Sequence, residues 1–197
     1  PIPKSDTDFK PHTVYGESKA IAEKITRKFC KKKYIIIRPT NVWGPYNVNY
    51  ARGLFTSIDK GLFVLPKNSK ALKSYGYVKN ICDQIICLLL DENNFNAVFY
   101  VGEKAISSNY WASEIAKSIS GKYPFKVPKI LLYLGAVFGE VLIFFNIRFP
   151  LYLVRYKNMV ESYEVPIEKT LDKYELKYPD LKININETIT WFKNDYK

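Results

Sequence analysis

A chain of 197 residues has room for one domain or a pair of small ones, and 47% hydrophobic residues are ample for a buried core. Lys and Arg outnumber Asp and Glu by 30 to 19, a net charge of +11 that suits nucleic acid, an anionic membrane surface or an acidic small substrate. No zinc-finger or RNA-binding signature accompanies that charge, which argues against nucleic acid; Cys30, Cys82 and Cys87 form neither a metal-ligand spacing nor an even disulfide set, so no metal is expected and a reducing cytoplasm is the simplest compartment.

The first predicted element is a helix over 13–31, in which Ile21, Ile25 and Phe29 at i, i+4 and i+8 make a stripe expected to be buried. Tyr15 and Lys19, four residues apart, share one face of it. A phenol beside a fixed ammonium is a route to a tyrosinate, because the positive charge favours the deprotonated form, and such a group serves as a general acid or base. Spacing alone does not single this pair out. Tyr-x-x-x-Lys recurs at Tyr75/Lys79, Tyr100/Lys104 and Tyr178/Lys182. The first copy differs in its setting, with Pro11 before it, Gly16 and Ser18 within it and Glu23 one turn on. His12, the only histidine, precedes the helix and reads as a surface residue, with a pocket edge as the alternative. Lys31, Lys32 and Lys33 close the helix and complement its dipole as a solvated end.

A short β-branched run, Tyr34–Arg38, predicts a parallel strand covered on both faces, and Gly44-Pro45 breaks it. A helix is expected around 51–60, then a turn at Pro66-Lys-Asn-Ser. An apolar helix follows over 78–90, in which Cys82 and Cys87 are expected as buried thiols. A second buried strand covers 97–101. A Ser-Ser-Asn cluster opens a helix over 108–120 that Gly121 closes. The alternation of strands and helices indicates an α/β fold. The run 130–145 is almost wholly apolar, interrupted only by Glu140, and carries Gly135-x-x-x-Gly139, a spacing that lets membrane helices approach closely. It is short for a span and runs into Asn146, Arg148 and Pro150. A buried or lid helix over a substrate pocket is the first reading and a peripheral membrane contact the second. The Ile185–Phe192 run, with Trp191, is expected to pack as a closing helix, and among Trp43, Tyr46, Tyr75 and Tyr77 most rings are expected in the core.

Tyr15-Gly-x-Ser-Lys19 together with Arg38-Pro39-x-Asn41-Val-Trp-Gly-Pro45 resembles the extended short-chain dehydrogenase/reductase family, in its NAD-dependent epimerase/dehydratase branch. The resemblance implies the C-terminal part of a Rossmann-like parallel sheet with helices (1–45 and 74–102) and a small mixed substrate-binding domain (46–73 and 103–197). It implies that Tyr15 and Lys19 are catalytic and also meet the cofactor, NAD or NADP, the lysine bonding the nicotinamide ribose. Pro39 and Thr40 fall where such chains pass the nicotinamide ring. Asn41 matches a position that reaches the nucleotide side of a nucleotide sugar; a cap on the turn before Gly44 is its other reading. Lys73 stands where the family commonly has an arginine on the substrate diphosphate, keeping the charge but losing bidentate geometry, and Lys79-Asn80 replaces an acidic pair.

None of the nine glycines forms the glycine-rich turn that holds a dinucleotide pyrophosphate, and the family's catalytic Ser or Thr precedes the tyrosine by more residues than this chain supplies. The chain therefore reads as the C-terminal portion of a longer enzyme, inactive alone, and a homodimer through helix 13–31 is implied. Two other readings remain at this level. One is a reductase for a hydrophobic ketone or sterol-like substrate, consistent with the lost arginine and the apolar 130–145 run. The other is a non-enzymatic NAD-binding or membrane-docking module, against which the presence of Tyr15 and Lys19 argues.

Overall fold

A computed structural model describes residues 5–11, 13–147, 149–174 and 178–196, so His12 and Arg148 lie outside the described residues. Helix α1 (Val14–Phe29) starts where Thr13 leaves an extended backbone and its side chain accepts the Gly16 N–H at 3.0 Å. Strand β1 (Ile35–Pro39) follows, then β2 (Asn41–Trp43). The helix expected at 51–60 is a longer helical stretch: α2 (Val48–Tyr50), a π-helical turn at Ala51–Phe55, and α3 (Thr56–Asp59). Three short strands come next, β3 (Val64–Pro66), β4 (Leu72–Lys73) and β5 (Tyr75–Tyr77), too brief for their periodicity to be read from sequence. Helix α4 (Val78–Leu90) and strand β6 (Ala97–Val101) fall where predicted. After β7 (Ile106–Ser107), α5 (Ser108–Ser120) opens on the Ser107 hydroxyl and closes on Gly121 in the left-handed conformation, φ 74°. The chain ends with β8 (Phe125–Val127), α6 (Lys129–Phe144), α7 (Leu153–Val160), α8 (Glu168–Leu171) and α9 (Leu181–Trp191), the last followed by a π-helical turn.

The chain divides into two compact units. The first holds the described residues up to Val42, with Tyr75–Lys104 and Glu164–Tyr178. Its centre is the parallel pair β1–β6, in register from Ile35 opposite Ala97 to Pro39 opposite Val101; β2 pairs with β5 beside it. Helix α4 covers the pair, and Ile81, Leu88, Phe99 and Val101 form the core with Ile35, Ile37, Val42 and Ile85 around it. Burial of each such side chain stabilises by about 1.5–3 kcal/mol. The sequence placed 103–197 wholly in the second part, whereas α8 (Glu168–Leu171) packs on β6. There Thr170 Oγ1 donates to the Tyr100 carbonyl at 2.6 Å and Lys169 Nζ to the Val98 carbonyl at 3.0 Å, satisfying strand oxygens.

Two expectations of burial fail in this unit. Ile21, Ile25 and Phe29 are 50%, 52% and 64% exposed, because α1 is tied to the narrow β1–β6 pair by ion pairs rather than by apolar contact. Cys82 is exposed and Cys87 half-buried, since α4 turns Asn80, Ile81, Gln84 and Leu88 inward and the cysteines fall off that stripe.

The second unit holds Trp43–Ser74, Ala105–Tyr163 and the chain from Pro179. Here β3 pairs in parallel with β8 and β4 antiparallel with β7, while Lys73 also bridges Tyr163. Its core is aromatic: Trp43 meets Trp111 edge-on at 5.5 Å, and Phe55 meets Phe192 at 5.5 Å. Tyr46, in contrast, is exposed and leans on Trp191. Helix α6 buries only Leu132, Ala136 and Gly139, and that seam receives the 149–151 segment and α7. A Cβ on Gly139 would meet the Leu151 carbonyl oxygen at 1.8 Å, so this glycine of the Gly-x-x-x-Gly pair serves a close approach within this unit. Glu140 accepts the Leu153 N–H at 3.2 Å and caps α7. Among the described residues no helix is long and apolar enough to cross a membrane.

Candidate active site

Of the four Tyr-x-x-x-Lys copies, Tyr15/Lys19 has both members in one helix. Tyr75 and Tyr100 lie in strands and Tyr178 precedes α9, so their lysines do not share a helical face with them. In α1 the Lys19 Nζ sits 5.3 Å from the Tyr15 ring centroid, and Tyr15 is 72% exposed, so its phenol opens to whatever lies against that face. Gly16 allows the turn to hug the preceding chain: a Cβ there would stand 3.3 Å from Thr13 Oγ1 and 3.4 Å from Pro11 Cβ.

The helix is held in place by charge. Arg38 on β1 donates from Nε to Glu23 Oε2 at 3.0 Å and from Nη2 to Glu23 Oε1 at 2.8 Å. The same guanidinium reaches the Tyr100 hydroxyl at 2.6 Å and the Asp6 carbonyl at 2.6 Å. Arg27 Nη2 adds a bond to Glu23 Oε1 at 2.7 Å. Burial pushes the Glu23 carboxyl up, but the hydrogen bonds from Arg38 and Arg27 outweigh it and hold the group below its ordinary value. A charged fork on β1 thus sets where α1, and with it Tyr15 and Lys19, stands. Both residues were visible in sequence as motif neighbours; their pairing was not.

Pro39 ends β1, Thr40 is buried just beyond it with its N–H donated to the Val101 carbonyl at 3.0 Å, and half-buried Asn41 opens β2. This is the carboxyl end of the parallel strands, where open α/β sheets bind ligands. Gly102 ends β6 at the same edge, and a Cβ there would lie 2.2 Å from Thr40 Cγ2. Sequence reasoning missed what fixes this edge. The buried amide of Gln84 accepts the Gly102 N–H at 2.9 Å and donates to its carbonyl at 2.7 Å. Glu103, next along, accepts from Asn80 Nδ2 and from the Tyr77 N–H. Polar residues set into the apolar pattern of α4 were the available signal.

Burial pushes the Glu103 carboxyl up, opposed by the hydrogen bonds of Asn80 and Tyr77. A carboxyl raised in the folded state stabilises fully below its unfolded value, and that contribution is lost as pH rises through the folded one. Glu103→Gln is therefore expected to raise the thermal midpoint relative to the parent near pH 7, with the gain vanishing near pH 4. Melting curves of both proteins across that range check it; a gain independent of pH would count against the assignment.

Tyr15, Lys19, Pro39, Thr40 and Asn41 belong to the first unit and Lys73 to the second. Lys73 Nζ donates to the carbonyl of Asn158 in the last turn of α7, and burial pulls its ammonium down, opposed by Glu161. The exposed phenol of Tyr15 and the exposed ammonium of Lys19, on one face, can both donate hydrogen bonds to a bound molecule.

The profile of the NAD dependent epimerase/dehydratase family matches residues 1–102. A curated relative, N-acetyl-alpha-D-glucosaminyl-diphospho-ditrans,octacis-undecaprenol 4-epimerase of Escherichia coli O157:H7, is 28% identical over 147 residues, 71% of this chain and 44% of the relative. Among solved structures, UDP-glucuronic acid 4-epimerase from Bacillus cereus in complex with UDP-glucuronic acid and NAD superposes with a TM-score of 0.64 at 16% identity, over 93% of this chain and 54% of that one. The human epimerase family protein SDR39U1 with NADPH gives 0.59 at 11% identity, over 96% and 59%. The chain spans less than half of the curated relative and little more than half of these structures, and the structural likeness establishes the shared α/β fold.

Proposed function

The chain belongs to the NAD dependent epimerase/dehydratase family, and from that membership we propose that it is the C-terminal portion of an NAD- or NADP-dependent enzyme that epimerises, dehydrates or reduces a diphosphate-linked sugar. The observation that carries this reading is the Tyr15–Lys19 pair on one open face of α1, inside the segment that matches the family.

Bound nicotinamide supplies the hydride acceptor and donor. Tyr15 takes the proton from the sugar hydroxyl as its carbon is oxidised and returns it when the carbonyl is reduced again. Lys19, beside the Tyr15 ring, bonds the ribose, which sets the face offered to the sugar. Pro39 and Thr40 border the ring at the strand ends. Asn41 meets the nucleotide or diphosphate side. Lys73 is assigned a single charge on the diphosphate.

Two of the relatives act on or hold diphosphate-linked sugars, one on a polyprenyl carrier and one on a nucleotide, and the 30 basic against 19 acidic residues suit either. The enzyme is placed in the cytoplasm and pairs with a second copy through α1, whose Ile21, Ile25 and Phe29 are exposed in the single chain. The engagement of Lys73 with Asn158 supports a second reading, a hydrophobic ketone in place of the diphosphate.

The full-length protein with NAD or NADP is assayed on UDP-sugars and on a polyprenyl diphosphate sugar. Turnover of either, with UDP or pyrophosphate competing, supports the reading; turnover of a hydrophobic ketone without competition by UDP replaces it. The 197-residue chain alone is expected to turn over nothing when NAD is added, since none of its glycines forms a dinucleotide turn. Activity of that chain would refute this point.

A further inference from the structure

We propose that the outward face of α6 docks this protein on an anionic lipid bilayer. At about 100° per residue, Leu132, Ala136 and Gly139 fall on one side of the helix and are buried. The other side, an arc of about 160°, carries only aliphatic and aromatic side chains. Ile130, Leu134, Phe138, Val141 and Phe145 run along its middle, and each is half exposed or more. A contiguous apolar surface of this kind on a folded protein marks an interaction site rather than incidental exposure.

The charged residues of the helix stay off that arc. Lys129 stands at the helix start, and Glu140 points its carboxylate at the first turn of α7, where it accepts the Leu153 N–H at 3.2 Å. The one acid that interrupts the apolar sequence is thus used within the fold. Lysines cluster before the helix. Lys122, Lys126 and Lys129 lie in a stretch, Gly121 to Gly139, that contains no Asp or Glu. Phe125 lies between two of them in β8 with its ring 84% exposed.

An exposed apolar helix face, with lysines in the acid-free chain that leads into it, suits a helix that rests in a membrane interface, its apolar side about 5–10 Å into the headgroup and acyl boundary. Lysines near an anionic surface add electrostatic attraction. At about 1.5 Å per residue the helix is about 24 Å long and rests along the surface. A second copy of this patch offers no acid to those lysines, so charge complementarity selects anionic lipid over self-pairing. The inference goes beyond the catalytic reading and holds for either carrier of the sugar diphosphate.

The full-length protein is mixed with vesicles of phosphatidylglycerol and phosphatidylcholine, and with phosphatidylcholine alone, then sedimented. Binding to the anionic vesicles is expected, weakened by salt. The double variant Phe144→Glu/Phe145→Glu is expected to lose more than about tenfold in binding with its thermal midpoint and its activity on a soluble UDP-sugar unchanged, since both rings are exposed. Lys126→Glu/Lys129→Glu weakens binding most at low salt. No sedimentation of the parent, or equal sedimentation of the phenylalanine variant, overturns the proposal. So does a dimer in solution that the phenylalanine variant converts to monomers, which would give the face to a second copy. A protein that binds vesicles but turns over no sugar keeps this proposal and removes the catalytic one.

Discussion

Replacing Tyr15 with phenylalanine is expected to lower kcat of the full-length enzyme by about 10²–10⁴-fold, the usual worth of a positioned general acid or base. The substitution removes one hydroxyl from a ring that is 72% exposed, so the fold has little to lose. Because the proton moves only in the transition state, kcat falls and KM changes little. Lys19→Met is expected to lower kcat as well and also to weaken cofactor binding, since Lys19 stands beside the Tyr15 ring and is assigned to the ribose. Steady-state kinetics with cofactor titrations separate the two variants. A Tyr15→Phe enzyme within about twofold of the parent would remove Tyr15 from the chemistry, whatever the family pattern.

The largest effect on stability is expected at Gly139. An alanine there would set its Cβ 1.8 Å from the Leu151 carbonyl oxygen and 2.6 Å from Phe149 Cδ1. The nearer obstacle is backbone, which cannot rotate aside, so α6 must lift from the 149–151 segment. Overpacking of this kind costs about 1–3 kcal/mol and occasionally more, and Gly139→Ala is expected at the upper end. Gly135→Ala is the internal comparison. Its Cβ would meet only Leu151 Cδ2, at 3.4 Å, an ordinary contact with a movable side chain. Alanine is about 1 kcal/mol better than glycine in a helix interior, so that variant should hold or gain stability. Denaturant unfolding of the pair reads the difference directly; equal midpoints would mean the 149–151 segment does not seat on Gly139.

Much of this protein is encoded over short distances, and that part was legible. Strands at Ile35–Pro39 and Ala97–Val101 follow from β-branched and aromatic runs, and helices α4 and α5 from their 3.6-residue period with caps at Ser107 and Gly121. The shared face of Tyr15 and Lys19 follows from helical spacing, and the motifs around them carry the family. These features depend on neighbours three or four residues away and can be read from a short window of residues. Strands of two or three residues escaped, because they exist only through partners such as Phe125 for Val64 or Ser107 for Leu72.

Burial depended on contacts between segments far apart in the chain. The apolar stripe of α1 looked like a core face, yet Glu23 and Arg38 hold the helix by charge and leave Ile21, Ile25 and Phe29 exposed. Gln84 looked like an interruption in α4, yet it clasps both polar groups of the Gly102 backbone. Glu140 looked like a flaw in an apolar helix, yet it caps α7 and keeps one whole face of α6 free of charge. In each case the residue's meaning depends on a surface supplied from elsewhere in the chain. Periodicity states which side chains share a face; only packing states what that face meets.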